Sequence, residues 1–330
     1  MQYEFMEKLL MAKLEPQVHL KLLGDWGNAN FHVIVGWICA HMRWRSEPGS
    51  TFWMKTGTGY RDNINAVAEG EVDLAITTPL DVTLEWAREG KEFFKGTPFP
   101  QLRALCYFPQ DDRLVFAVHA DTGLTSFEDV RKTKYPLKIA TTCHDHNNMM
   151  TWVVDDVFRL HGIDPSDVIS WGGAWMEHDH PRICLPQVIS GAANAVFNEG
   201  IMVPQWYEVI EKVPMRFISM ERDVLDKLKA RGLRPAVMPK GRLGADRDID
   251  CLDWSHWAVV VRDSMDEKLA YRLTSMMVEE RAHLEARFRH LPPDRSPMTY
   301  PIDPYTMWKG LGAPLHPGAE RYYREHGYMG

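Results

Sequence analysis

Short apolar runs that read as buried strands alternate with stretches of helical periodicity, glycine-rich turns join the two, and the alternation restarts near the middle of the 330 residues. These observations predict an α/β fold of two lobes, each on a mostly parallel sheet, since parallel neighbours need a crossover helix between them. The length exceeds one ordinary core, and 45% hydrophobic residues are enough to fill two. Lobe 1 is expected at 1–118 plus 254–330 and lobe 2 at 119–253, with a hinge near 116–119 and 257–261. A ligand cleft is expected between the lobes, at the carboxyl ends of the strands.

The first unit of the pattern is VHLKLLG, the turn GDWGNANFH and an apolar helix over 33–42. A second strand at 51–56 leads through Gly57 and Gly59 into an amphipathic helix at 61–69 and a strand at 74–77. Pro79 suits the first position of a helix through DVTLEWAREG. Two buried strands follow, at 102–107 and 114–119. The restart reads as a short helix near Ser126, a strand at 137–140 and a long helix to Leu160. Next come a strand at 167–171, a helix at 180–190 with Pro181 at its start, and a strand at 193–197. Helices at 204–212 and 221–231 flank the strand RFISM. Residues 232–253 read as irregular, SHWAVVVRD returns the chain to lobe 1, and 265–288 is the longest helical stretch. A Pro-rich segment and a short helix near 319–326 close the chain.

Net charge of −7 without a long basic run leaves no electrostatic footprint for nucleic acid. Five cysteines lie far apart with no CxxC or zinc spacing, and an odd number does not fit a full disulfide framework. Glu4, Glu7, Lys8 and Lys13 interrupt the N-terminal apolar residues, so no secretory signal is read there. The expected location is cytoplasmic if this is the full native chain and periplasmic if a signal was removed. No window approaches the roughly 20 apolar residues of a membrane span.

The stretch KIATTCHDHNN, residues 138–148, concentrates chemistry. It places Cys143, His144, Asp145 and His146 between a strand and a helix start, where free backbone N–H groups favour an anion. The GTG and GDWGN turns lack both GxGxxG and GK[ST], so nucleotide binding is not expected.

The segment TGTGYRDNINAVAEGEVDLAITTP (56–79), with GLTSFEDVR (123–131) and the closing LGAPLHPGAERYYREHG (311–327), resembles the TAXI-type solute receptors of TRAP transporters. The likeness spans roughly 19–327, and LHPGAERYYRE is its most specific part. It implies a type II periplasmic-binding-protein fold, a small-molecule ligand between the lobes, and TRAP membrane subunits as partners if the chain is exported. By motif match it places ligand contacts in the turns at 24–30, 56–63 and 141–147, at Thr77 and Thr78, and at the strand end 197–199. The ligand-binding candidates are Trp26, Asn28, Asn30, Thr58, Arg61, Thr77, Thr78, Thr142, Cys143, Trp171 and Asn198.

Two loops depart from the family pattern. CHDHNN replaces a small Gly/Ser-rich turn, and WGGAWMEHDHPR replaces a plain connection, gathering His144, His146, Glu177, His178 and His180 as candidate ligands for zinc, iron or manganese. Residues two apart on extended chain point to opposite sides, so at most one of His144 and His146 faces a ligand. Capping and loop solvation are the competing roles of these histidines. Arg61 is either a carboxylate clamp or a solvent-facing charge. Trp26, Trp171 and Trp175 either stack on a flat ligand or pack under loops. A helix start beside Cys143 would lower its pKa.

Two functions stay open. One is a TAXI-like binding protein for a small carboxylate, aromatic acids included, which needs no cofactor. The other is a cytoplasmic decarboxylase, lyase or hydrolase of a small aromatic acid on the same fold, which also carries the enzymes that decarboxylate dihydroxyphthalate. His144, His146 and Glu199 would be its acid–base residues, with or without a divalent metal.

Overall fold

The computed structural model describes residues 14–27, 29–80 and 82–330. The strands among them are β1 (His19–Leu23), β2 (Thr51–Lys55), β3 (Leu74–Thr77), β4 (Leu102–Phe108), β5 (Arg113–His119), β6 (Lys138–Thr141), β7 (Ala174–Glu177), β8 (Ala195–Glu199), β9 (Met215–Ile218), β10 (Pro235–Met238), β11 (Ile249–Asp253) and β12 (Trp257–Arg262). They divide between two compact units. Unit 1 holds 1–108, 257–288 and 300–330, and unit 2 holds 109–256 and 289–299. Strand β5 lies in unit 2, where it pairs with β8, β9 and β11, so the change of unit falls after Phe108, ten residues before the expected boundary. Residues 289–299, expected in lobe 1, also belong to unit 2.

Unit 1 has the strand order β2-β1-β3-β12-β4. Leu20, Leu22 and Leu23 of β1 are buried while His19 and Lys21 are exposed. Helix α1 (Asn30–Arg45) carries β1 over to its parallel neighbour β2, and Phe31, Ile34, Val35, Ile38 and Met42 line its buried face at helical spacing. Helix α2 (Arg61–Ala68) makes the next crossover, to β3. The closing motif packs tightly: a Cβ on Gly318, in the helix Pro317–Glu325, would lie 2.1 Å from the carbonyl oxygen of Glu267.

Unit 2 has the order β10-β11-β5-β8-β6-β7, with β9 also paired to β5. Helix α5 (Met149–Leu160) follows β6 and buries Met149, Met150, Val153, Val157 and Phe158; the short helices Val82–Glu89 (α3) and Phe127–Thr133 (α4) precede it in the chain. Both sheets are mixed. The parallel pairs β1–β2, β1–β3, β6–β7 and β6–β8 lie toward one edge of each sheet, and the remaining pairings are antiparallel. In each sheet an antiparallel strand is supplied where the chain crosses between units, as β5 and β12.

Several local expectations change. The expected strand at 167–171 lies in the helix Pro165–Ser170 (α6), because Asp164 and Asp167 form a reciprocal capping box around Pro165; the strand comes later, as β7. The expected irregular stretch 232–253 contains the antiparallel pair β10 and β11. Pro79 follows a cis bond, and the helix Val82–Glu89 begins three residues later, with Asp81 outside the described residues. The stretch 265–288 divides at Glu280 into two helices, Glu267–Glu279 and Arg281–Ala286. No helix among the described residues is long and apolar enough to cross a membrane.

Candidate functional site: the strand-end turns

In unit 1 the chain leaves β1 through a turn with Trp26 and Gly27 both at φ 54°. Gly24 N–H donates to the Lys55 carbonyl at 3.1 Å and Trp26 N–H to that of Gly57 at 3.0 Å, which ties the turn to the end of β2. Asp25 folds beneath it, 1% exposed. The Asn63 side-chain amide, from the first turn of α2, donates to Asp25 Oδ2 at 2.8 Å and to the Ile76 carbonyl on β3 at 3.1 Å. Burial pushes the Asp25 carboxyl up to about 7, against the opposing hydrogen bond from Asn63. At the end of β3 the buried Thr77 Oγ1 has no hydrogen-bond partner, and neither has Asn63 Oδ1.

The other candidates of this unit divide between the site and the scaffold. Thr78 is buried beside Thr77, and its carbonyl accepts from Thr83 Oγ1 at 3.1 Å. Asn30 is half-buried at the start of α1. Thr58 donates to Asp62 Oδ2 at 2.8 Å. Arg61 is not a free clamp: its guanidinium donates to the Phe93 carbonyl and lies 4.4 Å and 5.1 Å from the Phe93 and Phe94 ring centroids. Trp26 is 8% exposed, edge-on to Phe31 and Tyr60 at 5.3 and 6.2 Å. It packs the turn from within, so it is no stacking platform. Asn28 lies outside the described residues.

In unit 2, β6 ends in Thr141 and Thr142, both fully buried; Thr142 Oγ1 bonds Thr151 Oγ1, and Thr141 Oγ1 has no partner. His144 is held on both ring nitrogens, Nδ1 2.7 Å from Glu177 Oε1 and Nε2 2.9 Å from Asp155 Oδ1. Burial pulls its pKa down, but the two carboxylates outweigh it and the net shift is upward. Trp175 stands edge-on to this imidazole at 4.8 Å.

Side chains of the turn take up the amides nearest the helix start, leaving fewer of them for the expected anion. Asp145 accepts from Asn147 N–H at 2.9 Å and Asn148 N–H at 2.7 Å, and Asn148 caps α5 through Thr151 N–H. Cys143 lies six residues before the first helical residue, Met149. Burial, then Asp145, Glu177 and Asp179, raise its pKa, which corrects the expected lowering. The exposed His146 and the other expected metal ligands do not gather round one point among the described residues. His144 meets Glu177, whereas His178 Nδ1 accepts from His180 N–H at 3.0 Å, just before the helix Pro181–Ile189.

Asn198 is 2% exposed on β8, and its Oδ1 accepts the Glu199 N–H at 2.7 Å. Glu199 helps raise the buried Asp112 carboxyl well above the usual carboxylate range, after burial itself. Trp171 is half-buried as the residue closing α6. Asp25, Asn63, Thr141 and Asp155 were not picked out from sequence. Asp25 and Asn63 lie inside motifs already noted, GDWGN and TGTGYRDN, but nothing in those motifs marks them as partners. A cavity of about 580 Å³ in unit 1, beside Gln17, His19, Asp266 and Arg272, opens at the other end of β1.

Two mixed sheets whose parallel strands end in polar turns are the architecture of type II periplasmic-binding-protein-like proteins. The chain belongs to the NMT1-like family, which it matches over residues 34–327. A structure described as a periplasmic transporter is similar at TM-score 0.52 and 11% identity, covering 96% of both chains. A Xanthomonas citri protein solved with bound chloride is similar at TM-score 0.50 and 12% identity, covering 93% of this chain and 99% of its own. At such identity these likenesses speak for the fold alone. No curated protein matches the sequence.

Proposed function

We propose that this protein is a solute-binding protein of TAXI type that takes a small carboxylate, aromatic acids included, at the polar strand-end turns. The observation that carries the reading is the cluster of Asp25, Asn63 and Thr77 at the ends of β1 and β3. Buried polar atoms are nearly always paired, and an unpaired hydroxyl or amide oxygen costs about 1–3 kcal/mol unless a ligand or water meets it. Here Thr77 Oγ1 and Asn63 Oδ1 are buried without protein partners, and the same Asn63 side chain holds the Asp25 carboxyl, which burial pushes up to about 7. A protonated Asp25 and the Thr77 hydroxyl can both donate to a carboxylate. The TGTGYRDN and LHPGAERYYRE motifs support the TAXI subtype, and with it a partnership with TRAP membrane subunits.

The test is calorimetric titration with a panel of aliphatic and aromatic carboxylates, with amines and neutral sugars as controls. Saturable binding of a carboxylate that weakens in Thr77→Val supports the reading. Binding confined to the controls, or turnover of the carboxylate during titration, overturns it, and turnover would favour an enzyme using His144.

A further inference from the structure

A second cluster of chemistry lies in unit 1, away from the strand-end turns. His41 is on α1, and Glu280 and His283 are at the junction of α7 (Glu267–Glu279) and α8 (Arg281–Ala286), where α1 packs against α7. The two imidazoles stack with ring centroids 5.2 Å apart. Both Nδ1 atoms approach the same carboxylate oxygen: Glu280 Oε2 is 2.9 Å from His283 Nδ1 and 3.8 Å from His41 Nδ1. One ligand atom from each of the three residues lies within 4.8 Å of the others.

We propose that His41, Glu280 and His283 form a binding site for a divalent transition metal of the zinc class. Two imidazoles and one carboxylate are a donor set such ions favour, and three protein ligands leave a position for water. Ligand atoms around tetrahedral zinc are about 3.4 Å apart, so each side chain needs to move inward by less than about 1 Å. Glu280 and His283 are three residues apart and so share a helix face, and His41 comes from the opposing helix.

The surrounding contacts suit the assignment. Arg45 Nη2 holds the other oxygen, Glu280 Oε1, at 2.6 Å, which orients Oε2 toward the imidazoles. His41 is 7% exposed, while the His283 side chain is 42% exposed and gives the ion a way in from solvent. His41 is eleven residues along α1 from Asn30, about 16 Å, so the site is separate from the solute turn.

The test is titration of the chelator-treated protein, purified without a histidine tag, with Zn²⁺ by calorimetry and with Co²⁺ by visible absorption. One equivalent of Zn²⁺ and a Co²⁺ spectrum of nitrogen and oxygen ligation are expected, with affinity falling at least about tenfold in His283→Ala and in Glu280→Gln. Those variants leave the buried His41 in place, and circular dichroism checks that they fold. His144→Ala is expected to bind as the parent does. Absence of saturable binding in the folded parent overturns the proposal. So does binding that survives both variants, or that is lost in His144→Ala.

Discussion

The Asn63 side-chain amide donates to Asp25 Oδ2 at 2.8 Å and to the Ile76 carbonyl at 3.1 Å, so one helical residue joins the ends of two parallel strands. The arrangement holds a carboxyl in a place where its charged form is disfavoured.

Asp25→Asn is expected to stabilise unit 1 at pH 8. The native pKa, about 7, lies above the unfolded value of 3.8, so the folded state holds a proton that the unfolded chain has released. The associated stability is present below 3.8 and is lost as pH rises through 7, on the order of 2–4 kcal/mol. Asn keeps an acceptor for Asn63 and has no proton to lose. Scanning calorimetry should show a higher Tm for the variant at pH 8 and a shrinking gap toward pH 4.5; a gap independent of pH would count against the account.

Gly59→Ala should destabilise unit 1 by roughly 2 kcal/mol or more. Gly59 has φ 105°, and a Cβ there would lie 2.6 Å from the Trp26 ring. Urea denaturation followed by tryptophan fluorescence checks it, and a change below about 0.5 kcal/mol would show that the turn yields easily.

Thr77→Val is expected to weaken carboxylate binding at least about tenfold with no loss of Tm. The substitution removes a hydroxyl that has no protein partner and leaves the side-chain shape nearly unchanged. Calorimetric titration beside a melting curve separates the two effects.

His144→Gln should cost more stability at pH 5.5 than at pH 8.5. The native pKa is raised above 6.5, so the stabilising pairing with Asp155 and Glu177 is complete below 6.5 and is lost as pH rises through the native value. With the side chain 23% exposed, the effect is roughly 0.5–1 kcal/mol. Denaturation at the two pH values measures it, and an equal cost at both would mean that the imidazole is not held as a cation.

Much of the fold was readable because it rests on local periodicity. Ile34, Val35, Ile38 and Met42 announce α1, and Val153, Val157 and Phe158 announce α5. Where a segment carries signals of both kinds, the reading failed. DVISW carries the β-branched and aromatic residues of a strand, but the Asp164–Asp167 capping box and Pro165 at the first turn make it a helix. Pairing with β11 turns PAVM into a strand, which its own residues do not announce.

The candidate turns were legible in the sequence, and the contacts of their side chains much less so. Glycine spacing and polar residues at strand ends are properties of the chain, and the sequence by itself determined the α/β class, the order of most elements and the turns at 24–30, 56–63 and 141–147. Whether a charged side chain meets a ligand or a neighbour depends on residues remote in sequence. Only the tertiary structure set Arg61 on Phe93, His144 between Asp155 and Glu177, Trp26 within the core, and Asn63 against Asp25. It also brought His41 beside Glu280 and His283, some 240 residues away along the chain. Hydrogen bonding and desolvation act over a few ångströms, and distance along the chain carries no information about those few ångströms until the sheets have formed.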